Sequence, residues 1–276
     1  MRFLILFISI LSSTGCALNT ANKASIWSVQ EQAFISQEQL FTELAQAEIL
    51  LIGEKHDNAY HHTQEVKVLQ ALAVQRAQAS LVLEMLSLEQ QPLVDTVKQD
   101  PTLIGQDLAR HLNWSAGWDW QQYQALINYS MQQSYPVLAA NFSREQIRQL
   151  YRQPEQLIGI KSTALDITDK LTQQVQEAHC NQIPESQIPA MVGIQRSRDR
   201  LMANTLIKAE KPTALIAGGF HVRKDIGVPL HLADQGAKAV KVLLFVEEGQ
   251  NIPANAADYL WYTPAAPEQD YCAQLN

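Results

Sequence analysis

Titratable side chains follow four apolar segments of this sequence at the point where each segment ends. Glu54 and His56 follow the first segment, Glu84 ends the second, Arg144 comes after the third and His221 follows the fourth. Carboxylates and imidazoles together can move protons or bind a divalent metal. A guanidinium suits a carboxylate ligand, because its donors form a bidentate fork. These residue types predict a polar site.

The apolar segments have the length and composition of buried strands. A fifth segment of the same kind lies nearer the C-terminus, and segments with helical periodicity lie between them. Near-continuous apolar strands separated by helices favour a parallel sheet covered on both faces. We therefore predict an α/β fold with a mostly parallel sheet flanked by helices. The predicted strands are 49–53, 81–85, 136–140, 214–217 and 240–246.

Two long gaps between the predicted strands contain further helices. Minimal crossovers between parallel strands need a dozen or more residues, and these gaps are several times longer. We expect helical insertions at about 90–134 and 150–210, forming a helical subdomain over one edge of the sheet. Since ligands of open α/β sheets bind outside the carboxyl ends of the strands, the polar residues at the strand ends should converge on one pocket.

The first fifteen residues resemble an export signal. Arg2 precedes an apolar run of about nine residues, whereas a helix that crosses a bilayer needs roughly 20. Small residues then lead to Cys16, which resembles the lipidated Cys of a bacterial lipobox, although Ser13 departs from that motif. Ordinary signal cleavage near this point is the alternative. We predict a signal at 1–15, lipidation of Cys16, a tether at 17–36 and one α/β domain at 37–276.

Charge and cysteine content narrow the function further. The formal charge is −7 and no run of Lys or Arg is present, which argues against nucleic acid as a partner. With Cys16 assigned to lipid, Cys180 and Cys272 remain in a chain that we expect to be exported. Disulfides persist in such compartments, so we predict that these two residues pair.

Six short motifs, in order between about residues 40 and 250, resemble the ChaN family of haem-binding bacterial lipoproteins. That family belongs to a wider group with the Tiki-type metalloproteases and the erythromycin esterases. The motifs are Ile52-Gly-Glu-Lys-His-Asp-Asn-Ala-Tyr-His-His62, Leu83-Glu84, Trp118-x-Trp120-x-x-Tyr123, Ala139-Ala-Asn-Phe-Ser-Arg144, Gln195-x-x-Arg-Asp-x-x-Met-Ala203, and Gly218-Gly-Phe-His-Val222 followed by Gly227-Val-Pro229.

The resemblance implies a lipoprotein of haem and iron uptake. Ala17 after Cys16 resembles the pattern of lipoproteins sent to the outer membrane, where we expect the chain to be anchored only by its N-terminal lipid. The family resemblance also implies two haems stacked at a homodimer interface, a Tyr ligand on the iron and a His of the partner subunit near the propionates. An outer-membrane haem receptor is a further expected partner. The candidate iron ligands are Tyr60 and Tyr123, between which the sequence does not choose. The candidate haem-contacting residues are His56, Tyr60, His61, His62, Tyr123, Arg144 and His221.

Two other readings stay open at this stage. The chain could be a metal-dependent hydrolase of the wider group, in which the site residues are Glu54, His56, Glu84 and His221. It could also be a lipid-anchored structural or partner-binding module whose pocket is vestigial. Of these functions, we expect haem binding without turnover. We also expect His61 and His62 to face the mouth of the pocket at the strand ends.

Overall fold

One eight-stranded sheet organises the computed structural model, which describes residues 25–267, 269 and 272–275. The order across the sheet is β2-β1-β8-β7-β3-β6-β4-β5, and all strands from β8 to β5 are parallel. Every strand predicted from the sequence is present. The strands are β1 (Ile26–Ser28), β2 (Ala33–Ile35), β3 (Ile49–Glu54), β4 (Ser80–Ser87), β5 (Val137–Asn141), β6 (Thr213–Gly218), β7 (Val240–Glu247) and β8 (Tyr259–Thr263).

Helices connect the strands and cover both faces of the sheet. The segments predicted as helical are helical, and the sequence Ser-x-x-Gln marks two of their starts. At the second of these, the Ser143 Oγ accepts from the Gln146 N–H and the Gln146 side chain accepts from the Ser143 N–H. The helices are α1 (Gln37–Leu44), α2 (Ala59–Gln75), α3 (Gln91–Val97), α4 (Gly105–His111), α5 (Trp120–Gln132), α6 (Arg144–Arg152), α7 (Leu165–Ala178), α8 (Ile188–Lys208), α9 (Gly219–Val222) and α10 (Val228–Asp234).

The apolar strands are buried on both faces, which is why they read as continuous hydrophobic runs. Successive side chains of a strand point to opposite faces, so Leu50 and Ile52 pack with α1 to α5 while Ile49 and Leu51 pack with α8 to α10. Each fully buried Leu or Ile contributes roughly 1.5–3 kcal/mol, more than the 0–1 kcal/mol of an exposed ion pair. Burial of these strands therefore fixes the sheet that carries the site.

The helices of the two insertions lie on opposite faces of the sheet. In the first insertion, α3 contacts β5, and α3 to α5 share the hydrophobic core of β3 and β4. In the second, α8 also contacts β5 but packs on the other face, and α7 packs against α8 over a smaller apolar cluster. Both groups are thus near the β5 edge, and each is continuous with the core of the sheet.

The prediction of a tether at 17–36 is wrong for residues 25–36, the part that the structure describes. Residues 25–36 contain β1 and β2, which extend the parallel sheet with an antiparallel hairpin beside β8. Ile26 and Ile35 are buried, and the Trp27 and Phe34 rings pack edge to face at 5.2 Å. Each strand is only three residues long, too short for period-two alternation to stand out in the sequence. The hairpin forms because β8 offers it an unpaired edge.

The C-terminal end is tied to the helical layer by a disulfide between Cys180 and Cys272, as the sequence predicts. The bond spans 92 positions and joins the chain just after α7 to its last described residues. The predicted signal at 1–15, Cys16 and the first part of the tether lie outside the described residues. No helix within the described ranges is long and apolar enough to cross a membrane.

Candidate functional site

The strand order brings the polar strand ends together. The chain places β6 between β3 and β4, so that Glu54 is paired in register with Gly218. The backbone N–H of Gly218 donates to Glu84 Oε2 at 2.8 Å. Helix α9 begins at the next residue and carries His221. Three segments that are far apart in sequence therefore meet at the carboxyl edge of the sheet, where open α/β sheets bind ligands.

A cavity of about 480 Å³ opens at this edge, within the usual size range of small-molecule sites. Residues near or just after the carboxyl ends of β3, β4, β5 and β6 reach it, together with residues of α7 and α8. Its walls combine apolar surface with carboxylates, imidazoles and cations. The lining residues are Glu54, Lys55, His56, Glu84, Trp118, Asn141, Gln174, Gln195, Arg198, Gly218, Gly219, Phe220, His221, Arg223, Leu244, Gln250 and Ile252.

His56 lies in the wall of the pocket and is anchored by Glu54. Its Nδ1 donates to Glu54 Oε1 at 2.5 Å, and the Tyr123 hydroxyl donates to the same oxygen at 3.0 Å. Burial lowers the pKa of His56, but the Glu54 carboxylate outweighs it and raises that pKa to about 9. The imidazole is 48% exposed and charged at neutral pH, which gives the pocket a positively charged donor that can reach a ligand.

His221 is held between two buried carboxylates on the other side of Gly218. Its Nδ1 donates to Asp199 Oδ1 at 2.5 Å, and its Nε2 lies 3.3 Å from Glu84 Oε1. Burial lowers the pKa of His221, yet Glu84 and Asp199 together raise it to about 10. Burial opposes ionisation of Glu84, but His221 and the Gly218 N–H hold its pKa well below the usual range. The three groups therefore form one charged unit.

A side chain at Gly218 would enter the space that His56 occupies. A Cβ at Gly218 would lie 2.8 Å from His56 Cε1 and 3.6 Å from Glu84 Oε2. A contact of 2.8 Å would force the imidazole out of its position against Glu54. The glycine thus lets the His56 and His221 sides of the pocket approach each other across the end of β6.

His61 and His62 do not face the mouth of the crevice, which corrects the expectation from the sequence. Both are buried. His61 accepts from the Lys55 N–H at Nδ1 and binds Thr263 Oγ1 at 2.7 Å, and burial lowers its pKa to about 4. His62 lies beneath the pocket against Tyr123 and Glu65. The turn from Asn58 into α2 directs both rings inward, a direction that the motif alone does not reveal.

The remaining candidates have separate positions. Tyr123 is buried, and burial together with the Glu54 carboxylate raises its pKa well above the usual range. Tyr60, the second residue of α2, is 42% exposed and does not line the pocket. Arg144 lines a neighbouring cavity of about 370 Å³, which shares Trp118 and Asn141 with the main pocket. The structure thus brings Glu54, His56, Glu84 and His221 into one pocket and places Tyr60 and Arg144 outside its lining.

Three arginines near the middle of α8 make different contacts. Arg198 lines the pocket, whereas Arg196 donates to Thr168 and Arg200 donates to His231. Asp199, on the same turn of α8, is the partner of His221. Sequence reasoning did not single out Gln174, Glu65 or Arg223. The spacing of Glu65 three residues after His62 on a helix was a signal that could have identified one of these.

Known proteins resemble this chain in sequence and in structure. The model of a family described as haem-binding uptake, Tiki superfamily, ChaN matches residues 40–232. The chain belongs to the ChaN family. A solved structure of cofacial haem binding to ChaN of Campylobacter jejuni is 30% identical, with a TM-score of 0.79, over 85% of this chain and 94% of that chain. This ChaN-family chain shares its α/β architecture with that structure.

Two more distant structures are only weakly similar to this chain. An erythromycin esterase in its open conformation is 13% identical, with a TM-score of 0.49, over 81% of this chain and 77% of that one. A toxin effector domain from Vibrio vulnificus is 14% identical, with a TM-score of 0.45, over 79% of this chain and 37% of that one. Similarity at this level bears on neither the activity nor the ligand of this chain. No curated protein matches the sequence.

The charged unit around His221 predicts a loss of stability at high pH. Because the folded pKa of about 10 exceeds the unfolded value near 6.5, the contribution is complete below pH 6.5 and is lost as the pH rises through 10. The free energy of unfolding, measured with urea from pH 6 to pH 10, should fall on the order of 1–3 kcal/mol more in the wild type than in His221→Gln. Circular dichroism at pH 7 checks that the variant is folded, and parallel pH curves for the two proteins would contradict the assignment.

Proposed function

We propose that this chain binds haem at the carboxyl edge of its sheet and takes part in haem uptake. The observation that carries the proposal is the match to the haem-binding ChaN of Campylobacter jejuni, which extends over 85% of this chain at 30% identity. The family model over residues 40–232 supports the same conclusion. Saturable binding of haemin to the purified protein, followed by the haem absorbance, is the direct test.

The pocket fits a ligand that is apolar over most of its surface and anionic at one end. Trp118, Leu244 and Ile252 contribute apolar walls, and Phe220 at the rim is 49% exposed. Haem has this character, with a flat apolar ring and two propionates. An exposed aromatic beside an apolar pocket is a common feature of a binding surface.

Arg198 is the side chain best placed to receive a propionate. Two other Lys or Arg side chains line the pocket, but Arg223 is paired with Asp225 and Lys55 with Glu247. Arg198 has no ion-pair partner within the described ranges, and its Nε is buried without a hydrogen-bond acceptor there. Because a buried unpaired donor is costly, this group gains most from an anionic ligand.

Tyr60 is the better of the two candidate iron ligands. A phenolate ligand must lose its proton and reach the iron, and the Tyr123 hydroxyl instead donates to a buried carboxylate that raises its pKa. Tyr60 is exposed, and α2 begins directly after β3, at the same edge of the sheet as the pocket. Phenolate is a hard anionic ligand that suits ferric iron.

The proposal includes a haem-linked homodimer. Cofacial binding in the Campylobacter jejuni relative supports two haems stacked between two copies of this chain. His56, which is half-exposed and positively charged, would then serve a propionate of its own or of the partner's haem. Burying two apolar ring faces against each other favours this arrangement over a single exposed haem.

The place of action that we propose is the outer membrane of a bacterial envelope. The signal-like residues 1–15 and the lipobox-like Cys16 support export and lipid anchoring. The Cys180–Cys272 disulfide supports an oxidising compartment. At that membrane, a haem receptor is the partner that would exchange haem with an anchored binding protein.

Arg198→Gln should weaken binding of haemin by about tenfold to hundredfold, because a hydrogen bond to a charged group contributes roughly 1.5–3 kcal/mol. The measurement is a spectrophotometric titration of wild type and variant. Haemin dimethyl ester, which lacks the propionate charges, is the control ligand and should bind both proteins equally. Equal affinities of wild type and Arg198→Gln for free-acid haemin would remove Arg198 from the site.

Tyr60→Phe should abolish the phenolate-to-iron charge-transfer band of the ferric complex, because the ligand oxygen is missing. Tyr151→Phe is the matched control, since Tyr151 is 40% exposed on α6, and it should keep the band. An unchanged band in Tyr60→Phe together with its loss in Tyr123→Phe would assign the ligand to Tyr123 instead.

Addition of haemin should raise the dimer fraction, because a ligand that binds only the dimer stabilises it by mass action. Sedimentation velocity at a fixed protein concentration, with and without one haemin per chain, measures the change. Iron-free protoporphyrin separates the effect of ring stacking from that of iron ligation. A monomeric profile with haem fully bound would contradict the cofacial arrangement.

A hydrolase is the second candidate function. The observation in its favour is the Glu54–His56 pair, which opens onto the pocket beside the Asp199–His221–Glu84 unit. Such pairs can act as general acid and base. Hydrolysis of a p-nitrophenyl ester that His56→Ala abolishes, in a protein with no saturable haemin binding, would favour this candidate over the first.

A further inference from the structure

Three buried polar side chains meet beneath the floor of the pocket. Glu54 ends β3, while His62 and Glu65 lie three residues apart on α2 and so share one face of that helix. Each is no more than 3% exposed. One ligand atom from each of the three lies within 4.8 Å of the others. Donors bound to one divalent ion at about 2.0–2.6 Å span distances of this order.

Two carboxylate oxygens in this cluster have no hydrogen-bond partner within the described part of the chain. Glu54 Oε1 accepts from His56 and Tyr123, but Oε2 is buried without a donor. Glu65 Oε2 lies 3.2 Å from His62 Nδ1, but Oε1 is likewise buried without a donor. Burying a carboxylate oxygen without a partner costs free energy, and oxygens of the two carboxylates lie within 4.8 Å of each other, close enough for like charges to repel.

The His62 ring is oriented as a metal ligand would be. Its Nε2 lies 3.1 Å from the backbone carbonyl oxygen of His56, which can only accept, so Nε2 carries the proton. That leaves Nδ1 facing Glu65, 3.2 Å from its Oε2, and Nδ1 would become the ligand atom once an ion replaces the proton that it shares with this carboxylate. Metal-bound histidines usually donate their second ring nitrogen to a carbonyl or carboxylate in this way, which fixes the tautomer and the ring orientation.

We propose that Glu54, His62 and Glu65 form a binding site for one first-row divalent cation. With the proton on His62 Nδ1 displaced, two carboxylates and a neutral imidazole would carry a charge of −2, which such an ion neutralises. Mixed nitrogen and oxygen donors suit Zn²⁺ or Mn²⁺ better than Mg²⁺ or Ca²⁺, which prefer oxygen alone. The site shares only Glu54 with the pocket residues and does not depend on haem binding.

Glu54 connects this site to the pocket. One of its oxygens holds His56 in the pocket wall, and the other is buried without a donor and is therefore available to the proposed ion. A cation at that position would fix the Glu54 carboxylate from behind and so orient the imidazole that contacts the ligand. The ion would therefore be a positioning element beneath the pocket rather than a group that touches haem.

The test uses the full haem-free chain after treatment with EDTA. Wild type is incubated separately with Zn²⁺ and Mn²⁺, freed of excess ion, and examined by elemental analysis and by its melting temperature. We expect about one ion per chain and a rise in melting temperature, because the ion binds the folded state. Glu65→Gln, which keeps the size of the side chain, should lose both the ion and the rise.

Glu247→Gln is the matched control, because it removes a buried carboxylate on β7 outside the cluster, and it should retain the ion. If Glu65→Gln does not fold, zinc X-ray absorption of the wild type decides, with one imidazole expected among nitrogen and oxygen donors. Stoichiometric binding that survives in folded Glu65→Gln would overturn the proposal. So would a protonated Glu65, seen as an infrared carboxylic-acid band of the zinc-treated wild type.

Discussion

The pocket depends on the pairing of buried carboxylates with imidazoles at the carboxyl edge of the sheet. Glu54, Glu84 and Asp199 are all buried, and an isolated carboxylate in such surroundings would not stay ionised. His56 and His221 supply the compensating charge, and the carboxylates in turn hold both rings in place. Because every group needs its neighbour, the carboxylates and imidazoles hold one another in place and leave the half-exposed His56 ring in the pocket wall.

The sheet topology makes that pairing achievable. Insertion of β6 between β3 and β4 sets Gly218 beside Glu54 and lets its N–H bind Glu84. The absence of a side chain at Gly218 then allows His56 to approach across the strand end. Apolar burial on both faces holds the three strands in register, so the core determines the geometry of a site to which it contributes few atoms.

Much of the fold could be predicted because the parallel strands are long and apolar and their helices begin with recognisable caps. The β1–β2 hairpin was not predicted, because each strand has only three residues and shows no clear pattern. The hairpin is stabilised by the pairing of β1 with β8. Within the site, strand-end residues were identified by position. Gln174 was not singled out, because it comes from a distant helix and carries no motif.

The sequence alone determined the α/β class, the convergence of four strand ends, the disulfide and the resemblance to the ChaN family. Only the tertiary structure decided which side chains face the pocket. Histidines of one motif take different positions in the structure. His56 lines the cavity, whereas His61 and His62 are buried. The physical reason is that a motif fixes residue types along the chain, whereas the direction of each side chain depends on the turn into α2 and on what packs against it.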